Sequence, residues 1–328
     1  IRTARQLDPS QIHVVFGHGG EKVQDMLGHE DVNWVLQDPQ LGTGPAVARV
    51  MPLVSDEDPL LVLYGDVPLI RAATLSRLTD FAGQGRLAVL TAQLDDPHGY
   101  GRIVRDDRGR LTGIVEHKDA TAEQLQIPEI NSGFLAAPAG RLRSWLSRLD
   151  NSNAQGEYYL TDVIAMAVSE GTAVESVTAD DRYEILGVND RVQLATLERV
   201  YQRNQAEQLM RAGVTLADPS RLDVRGIVSV GQDCYMEPNI ILEGNIKIGS
   251  RVKIGQNCLI RNVKIADDVE ILSNCVIEDA EIGQAARVGP FTRLRPETRL
   301  SDRVQVGNFV EIKKSSIASG SKINHLSY

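Results

Sequence analysis

The hydrophobic positions divide the chain into two parts, and the second part carries a strict repeat. Between Val230 and Ile323 a large aliphatic residue or Met recurs every six residues, with three steps of five. The positions are Val230, Met236, Leu242, Ile248, Ile254, Ile260, Ile265, Ile271, Ile277, Ile282, Val288, Leu294, Leu300, Val306, Ile312, Ile317 and Ile323. One turn cannot bury such a row alone, whereas stacked turns bury it against one another, so the repeat predicts a parallel β-helix. A flat sheet with chance periodicity does not explain seventeen positions in register.

Residues beside the repeat positions agree with this prediction. Side chains alternate along a strand, so the residue two before each repeat position shares its inward face. These residues are mostly small or β-branched and include Cys234, Cys258 and Cys275. We interpret the cysteines as buried apolar residues, because their spacing fits no zinc site. Glycine follows six repeat positions, from Gly231 to Gly307, and we expect it to let the chain turn between strands.

The first part of the chain alternates short apolar runs with helical patterns. This alternation favours an α/β domain with a Rossmann-like parallel sheet, in which ligands bind beyond the carboxyl ends of the strands. The predicted strands are His13–Phe16, Val32–Leu36, Leu60–Tyr64 and Leu87–Leu90. The predicted helices are Val23–Leu27, Ala46–Leu53, Ala72–Phe81 and Leu160–Ser169.

A long helix is predicted between the two parts. Asp190 is suited to cap its start and Gly213 to stop it. We interpret residues 192–212 as a linker helix between a first domain, 1–191, and a second domain, 213–328. Its apolar stripe could equally pack on the core of the first domain.

Composition and charge narrow the classes of function. The net charge of −9 and the pI near 5.3 argue against nucleic acid or an anionic membrane as the main partner. The sequence has no signal peptide and no apolar run near the length of a membrane span, which predicts a soluble cytoplasmic protein. The chain starts at Ile1 and stops at Tyr328 with the repeat still running, so we expect it to be a piece of a longer protein.

A glycine-rich turn follows the second predicted strand. After Gln37 come Gly42 and Gly44, which allow a close approach of backbone to ligand, and Pro45, which suits the first turn of a helix. The free N–H groups of that helix could bind an anion or a polar base. Such a turn is also an ordinary connection between a strand and a helix.

Two further polar groups lie at predicted strand ends. Asp66 follows the third strand, and Asn189 ends a later one. A carboxylate and an amide oxygen at one sheet edge would suit a hard cation such as Mg²⁺. Alternatively, Asp66 caps the next turn. We interpret His98 and His117 as surface or turn residues rather than catalysts.

Nine segments together resemble one enzyme family. They include Tyr-Gly-Asp-Val-Pro at 64–68 and Val-Gly-Asn-Phe-Val-Glu-Ile-Lys-Lys at 306–314. The others are 36–44, 99–102, 114–119, 129–131, 155–162, 187–189 and 294–296. From end to end the chain resembles the bacterial bifunctional N-acetylglucosamine-1-phosphate uridyltransferases and glucosamine-1-phosphate N-acetyltransferases. The resemblance implies a nucleotidyltransferase domain followed by a left-handed parallel β-helix.

The resemblance implies a first reaction site in the α/β domain. N-acetylglucosamine-1-phosphate would attack the α-phosphorus of UTP in a Mg²⁺-dependent step, giving UDP-N-acetylglucosamine and releasing pyrophosphate. Asp66 and Asn189 would hold Mg²⁺. The implied uracil contacts are Gln37, Gly42 and Thr43. The implied ribose and sugar contacts are Tyr64, Gly65, Gly101, Glu116 and Asn131.

A second implied site lies on the repeat. Arg295 and Lys313 each follow a repeat position and are eighteen residues apart. In the triangular coil of this family they would stack on adjacent coils, about 4.8 Å apart. Two cations at that spacing repel unless an anion such as phosphate lies between them. The alternative is a solvated basic stripe that includes Lys314 and Lys322.

The family also implies roles around this cation pair. Arg295, Lys313 and Tyr328 would bind glucosamine-1-phosphate. His325 would take a proton from its amine as that amine attacks acetyl-CoA; from the residues alone it reads as a loop histidine. A homotrimer assembled through the β-helix and a role in cell-wall and lipopolysaccharide precursor synthesis are also implied.

Two parts of the family pattern are absent from the sequence. The glycine-rich G-x-G-T-R-M type loop with its Pro-Lys, which grips the phosphates, is absent, and so are the last coils, which complete the acetyl-CoA site. If the molecule starts at Ile1, we predict that it cannot transfer uridylyl groups, and we expect both activities to be impaired. UDP-N-acetylglucosamine formation by this same chain would contradict that prediction.

Two alternatives remain open. One is another sugar nucleotidyltransferase with a β-helical tail, such as an ADP-glucose-forming enzyme, against which Arg295, Lys313 and His325 argue. The other is a non-catalytic scaffold subunit with the same two folds, against which Asp66 and Asn189 argue.

Overall fold

A computed structural model describes residues 1–17 and 19–327. The chain forms two compact units, Ile1–Gln193 and Leu194–Tyr328. Within the described residues, every helix is too short or too polar to span a membrane.

The first unit is an α/β domain with helices on both faces of a sheet. Its strands are β1 (His13–Phe16), β2 (Asn33–Leu36), β3 (Pro59–Val62), β4 (Leu87–Gln93), β5 (Arg102–Arg105), β6 (Leu111–Val115), β7 (Glu129–Pro138) and β8 (Val174–Thr178). Its helices are α1 (Arg2–Arg5), α2 (Glu21–Leu27), α3 (Thr43–Val50), α4 (Ala72–Gly83), α5 (Ala139–Leu146) and α6 (Asp162–Ser169). All four predicted strands and all four predicted helices are present, with ends shifted by up to three residues.

The main sheet of this unit is mixed, so the prediction of a parallel sheet was wrong. Its order is β6-β5-β7-β4-β8, with β3 also paired to β7. Strand β7 is antiparallel to both β3 and β4. Its Ala136 pairs with Leu61 of β3 on one side and with Ala88 of β4 on the other. Among the described residues of this unit, only β4 with β8, and β1 with β2 in a separate sheet, run parallel. The cause is the β5–β6 hairpin, which returns the chain in the opposite direction before β7.

Strand β4 shows how the two layers of core form. Leu87 and Val89 face the cluster that contains α5 and α6, while Ala88 and Leu90 face the cluster that contains α4. A strand buried on both faces reads as a continuous apolar run. Trp145 of α5 is fully buried in the first of these clusters.

The second unit is a parallel β-helix, as the repeat predicts. Its strands are β9 (Thr215–Leu216), β10 (Leu222–Val230), β11 (Tyr235–Met236), β12 (Ile240–Ile248), β13 (Lys253–Ile254), β14 (Leu259–Arg261), β15 (Lys264–Ile265), β16 (Glu270–Ile271), β17 (Val276–Glu278), β18 (Ala280–Ile282), β19 (Arg287–Val288), β20 (Arg293–Leu294), β21 (Thr298–Leu300), β22 (Gln305–Val306), β23 (Glu311–Ile312), β24 (Ser316–Ile317) and β25 (Lys322–Ile323).

These strands stack in three parallel faces. The first face runs β14-β17-β20-β23, the second β15-β18-β21-β24, and the third from β9 and β11 through β13 to β25. Strand β12 pairs with the first strand of both the first and the second face. Paired residues are seventeen apart, as in Glu270 with Arg287, or eighteen apart, as in Arg293 with Glu311. One coil is therefore three steps of six, or two steps of six and one of five.

The predicted inward row is buried. Fourteen of the seventeen repeat positions, from Met236 to Ile312, are buried, and Val230, Ile317 and Ile323 are half-buried. The three cysteines are buried and free. Together these residues form one continuous core cluster.

The glycines after the repeat positions have a different role from the one predicted. Of the six, only Gly289 has a φ in the left-handed region. The left-handed corner residue instead lies two positions after each glycine, as at Asn257 (φ 59°). A Cβ on Gly255 would lie 2.6 Å from the backbone nitrogen of Ser273 on the next coil. Glycine is therefore required there because neighbouring coils approach closely.

Helix α7 (Arg191–Arg211) begins where the sequence predicts. The Asp190 carboxylate accepts from the N–H groups of Val192 and Gln193, each at 2.8 Å, and Gly213 follows the helix with φ 101°. Ala206 of α7 belongs to the β-helix core. From Leu194 onward, therefore, α7 is part of the second unit.

Candidate active site

The turn between β2 and α3 is held to a second loop by backbone hydrogen bonds. The Gly44 N–H donates to the Tyr158 carbonyl, and the Tyr158 N–H donates to the Leu41 carbonyl, both at 3.0 Å. The Oγ1 of Thr43 accepts from the Leu160 N–H at 3.1 Å. These bonds fix the start of α3, which has Pro45 in its first turn as predicted.

Gln37 and Gly42 shape the same turn from inside. The side chain of Gln37, 8% exposed, donates through Nε2 to the Gly42 carbonyl at 2.9 Å. Gly42 has φ 118°, a conformation that L side chains rarely adopt. The predicted uracil contacts Gln37, Gly42 and Thr43 thus lie in one pre-formed turn.

We expect Gly42→Ala to lower stability by about 1–3 kcal/mol, the strain of an unfavourable backbone region. The added Cβ would also lie 2.7 Å from the Tyr158 carbonyl oxygen, so the bond between the two loops would weaken. Thermal unfolding and titration with UTP would measure the effects on stability and on binding.

Gly83→Ala is the matched control for this substitution. No atom lies within 4 Å of a Cβ built on Gly83 at the end of α4. We expect a change within about 0.5 kcal/mol there. Equal effects of the two substitutions would contradict the role given to Gly42.

A cavity of about 210 Å³ lies beside this turn. Five of the predicted substrate residues line it, although they come from five separate segments of the chain. They are Thr43, Tyr64, Gly101, Glu116 and Asn131. Gln37, Gly42, Gly65, Asp66 and Asn189 are not among its lining residues.

Glu116 and Tyr64 give the cavity its electrostatic character. Burial raises the pKa of Glu116, although its Oε1 accepts a hydrogen bond from Thr161 at 3.1 Å, which acts in the opposite direction. Burial, with Glu116 and Asp66 nearby, raises the pKa of Tyr64 to about 12. The phenol of Tyr64 is therefore a neutral hydrogen-bond donor at neutral pH.

The remaining lining residues are positioned by the sheet. The Asn131 N–H donates to the Gly101 carbonyl at 2.9 Å, and Oδ1 of Asn131 accepts from the Gly133 N–H at 3.1 Å. A Cβ on Gly101 would lie 3.3 Å from Oε2 of Glu116, so a side chain there would crowd that carboxylate. Gly133 has φ 90°, and a Cβ on it would lie 2.7 Å from the ring of Tyr64.

Asp66 lies beyond the end of β3, whereas Asn189 follows a 3-10 helix, Arg182–Ile185, so the prediction that Asn189 ends a strand was wrong. The Val188 N–H donates to the Asp66 carbonyl at 2.9 Å, which brings Asn189 next to Asp66. Both side chains are exposed. Within residues 1–17 and 19–327 no group of three or more His, Cys, Asp or Glu side chains could hold a metal ion. One carboxylate with an amide oxygen still suits Mg²⁺, which takes its other ligands from water and substrate phosphates.

Sequence reasoning missed Thr161, which lines the cavity and holds Glu116. The sequence signal that could have identified it is its position in segment 155–162, one of the nine segments that resemble the family. Lys118 ties the same segment to the end of β6, because its Nζ donates to Oε1 of Gln155 at 2.7 Å.

On the second unit, Arg295 and Lys313 are register neighbours. Leu294 pairs with Ile312, and the next residue on each coil is Arg295 and Lys313. The prediction that an external anion must separate the two cations needs correction, because Nη1 of Arg295 already pairs with Oε1 of Glu311 at 2.9 Å. No carboxylate among the described residues forms an ion pair with Lys313, whose ammonium is exposed. A phosphate ligand at this position stays a prediction.

His325 follows β25 on the third face, twelve residues and so less than one coil after Lys313, and its side chain is exposed. Its carbonyl accepts from Oγ of Ser327 at 3.1 Å. The third predicted sugar-phosphate residue, Tyr328, lies outside the described residues.

Comparisons with known proteins match both units. Residues 1–155 match the model of a MobA-like NTP transferase domain, and residues 224–328 match the model of the GMPPB C-terminal domain. A bifunctional protein GlmU from Alkalilimnicola ehrlichii is 53% identical over 328 residues, which is all of this chain and 71% of that protein. The chain belongs to the GlmU family. Bifunctional protein GlmU from Ralstonia nicotianae is 54% identical over the same 328 residues, 72% of its length. The cavity and the turn beside it therefore belong to a GlmU-family sugar nucleotidyltransferase.

Proposed function

We propose that this GlmU-family protein catalyses the last two steps of UDP-N-acetylglucosamine synthesis. It acetylates glucosamine-1-phosphate with acetyl-CoA and then transfers a uridylyl group from UTP to N-acetylglucosamine-1-phosphate. The observation that carries the proposal is the convergence of Thr43, Tyr64, Gly101, Glu116 and Asn131 on one cavity. A scaffold without catalysis would not need these polar groups to meet.

Uridylyl transfer requires positioning more than covalent chemistry. A phosphate oxygen of the sugar phosphate attacks the α-phosphorus of UTP, a new P–O bond forms, and the bond to pyrophosphate breaks. The pre-formed turn of Gln37, Gly42 and Thr43 would bind uracil, and Tyr64 and Gly65 would contact ribose.

The sugar would occupy the cavity itself. Asn131 has its Oδ1 engaged by Gly133, so its amide nitrogen is the group available to donate to a sugar oxygen. Glu116 and the Gly101 backbone face the same space. A carboxylate oxygen that accepts from a sugar hydroxyl disfavours analogues without that hydroxyl, because the oxygen would be left without a partner. For Glu116 this oxygen would be Oε2, since Oε1 already accepts from Thr161.

The metal would be Mg²⁺, held by Asp66 and Asn189. A bound Mg²⁺ supplies neutralisation of the charge that develops on the phosphate oxygens. The exposure of both side chains supports this assignment, since the ion shares its coordination with water and substrate phosphates.

Acetyl transfer would take place on the second unit. The amine of glucosamine-1-phosphate attacks the thioester carbonyl of acetyl-CoA, a C–N bond forms, and the C–S bond breaks to release coenzyme A. His325 would take the amine proton, for which the near-neutral pKa range of histidine is suited. Arg295, Lys313 and Tyr328 would bind the phosphate.

The two units would divide this work. We assign uridylyl transfer to residues 1–191 and acetyl transfer to residues 213–328, with the helical segment 192–212 between them. Assembly as a homotrimer through the β-helix is part of the proposal, as in the family resemblance.

Separate assays of the two steps test the proposal, run on the protein with its native termini. We expect Lys313→Ala to lower acetyl transfer by about 10- to 100-fold, because a charged contact to phosphate is lost, and to leave uridylyl transfer unchanged. Lys322→Ala, a lysine on another face of the β-helix, is the control and should affect neither step. Absence of both activities from the unsubstituted protein would refute the proposal.

A further inference from the structure

The turn Gly99–Gly101 forms one wall of the cavity, and a histidine from another strand end holds it. The Gly99 N–H donates to Nδ1 of His117 at 3.3 Å, across eighteen residues of chain. His117 directly follows Glu116, which lines the same cavity beside Gly101. This bond therefore ties the outer end of the turn, at Gly99, to the strand end that carries Glu116, and both would contact the sugar.

Two further anchors hold the same turn, and neither titrates near neutral pH. The guanidinium of Arg102 donates to the Tyr100 carbonyl, and the Asn131 N–H donates to the Gly101 carbonyl. Only the imidazole changes charge between pH 5 and 8 among these three.

The surroundings of His117 favour its neutral form. The His98 ring, from the turn after β4, contacts it with centroids 4.5 Å apart, and Arg102 at the start of β5 is close enough to act on it. Burial, followed by His98 and Arg102, lowers the pKa of His117 below its usual value of 6.5. Arg102 is 2% exposed and makes no ion pair with any described residue. Its charge is therefore not offset locally.

We propose that His117 is a pH-dependent positioning residue of the sugar site: its neutral imidazole holds the Gly99–Gly101 turn against the cavity, and protonation releases that turn. The inference rests on the proposed function, because the sugar contacts are assigned there. When Nδ1 is protonated, its own hydrogen faces the Gly99 N–H. Nδ1 can then no longer accept this hydrogen bond at all.

The sign of the pH effect follows from the lowered pKa. The folded protein favours neutral His117, so the hydrogen bond from Gly99 is intact above the pH range in which histidine titrates. As the pH falls below 6.5 toward the lowered pKa, protonation increases and the turn loses one anchor. Affinity for the sugar should fall in the same window.

Substitutions of His117 separate acceptor geometry from titration. Asn carries an acceptor oxygen near the position of Nδ1 but does not titrate, whereas Leu carries no acceptor. At pH 7.5 we expect His117→Leu to weaken UDP-N-acetylglucosamine binding by about threefold to tenfold, the net effect of one hydrogen bond. We expect His117→Asn to bind as tightly as the unsubstituted protein at pH 7.5. Below pH 6.5 its affinity should not show the decrease that protonation of His117 causes. Titration calorimetry from pH 5 to 8 measures both.

Hydrogen exchange of the Gly99 amide gives a readout that does not depend on activity. We expect its protection to fall as the pH drops below 6.5, after correction for intrinsic exchange, and to be lost at all pH values in His117→Leu. His98→Asn is the matched control and should leave the Gly99 amide protected at pH 7.5.

Two outcomes would refute the inference: equal affinity of His117→Leu and the unsubstituted protein, or a Gly99 amide insensitive to both pH and the Leu substitution. Failure of the unsubstituted protein to bind the sugar nucleotide at any pH would instead refute the proposed function. In that case the exchange of the Gly99 amide still decides whether His117 holds the turn.

Discussion

Replacing Asp66 with Asn is expected to lower kcat for uridylyl transfer by at least about 100-fold, the effect of removing an electrostatic group that acts on the transition state. The substitution keeps the size of the side chain and removes its negative charge, so a cation held with Asn189 loses its only charged protein ligand. More Mg²⁺ should be needed for half-maximal rate, and acetyl transfer should be unaffected.

Asp107→Asn is the matched control, since Asp107 is an exposed carboxylate in the β5–β6 turn. Rates of pyrophosphate release at several Mg²⁺ concentrations measure both variants. A normal rate with normal Mg²⁺ dependence in Asp66→Asn would refute the metal assignment and leave Asp66 as a capping residue.

Ile277→Ala should destabilise the second unit by about 2–5 kcal/mol. Ile277 is fully buried and lies between Ile260 and Leu294 on the coils to either side. Removal of its side chain leaves a cavity in the core. The neighbouring coils could fill this cavity only by shifting out of the strand register that pairs Ile277 with Ile260 and Leu294.

Ile227→Ala is the control, because Ile227 is also on a strand of this unit but is 69% exposed. We expect Ile227→Ala to lower the stability of the second unit by less than about 1 kcal/mol. Denaturant unfolding followed by circular dichroism measures both variants. Trp34 and Trp145 are the only tryptophans and lie in the first unit, so their fluorescence serves as an internal reference. Equal losses in the two variants would contradict the stacked-coil account.

The β-helix could be predicted in detail because its determinants are local. Each coil repeats the same requirement, so the burial of Ile260 or Leu294 follows from spacing alone. The reason for the glycines could not be predicted. The close approach of Gly255 to Ser273 depends on how one coil lies on the next, and no single coil shows it.

In the first unit the sequence predicted the strands but not their arrangement. Strand β7 pairs with both β3 and β4 after the β5–β6 hairpin has reversed the chain. Around Ala136 four consecutive residues of β7 are buried, so no alternation of apolar and polar residues marks the strand there. The segments around Asp66 and Asn189 were recognisable because they interrupt apolar runs. His117 was interpreted as a surface residue, since its partner Gly99 is brought close only by the β5–β6 hairpin.

The steps of seventeen and eighteen residues between paired strands restrict how the length of the second unit can change. Deleting a full coil leaves every later side chain on its original face. Deleting a single hexad between Arg295 and Lys313 would instead rotate everything beyond it by one face, and the two cations would part. We therefore expect insertions and deletions in this region to come in whole coils outside the segment between the two cations, whose spacing is kept only when the number of residues between them is unchanged.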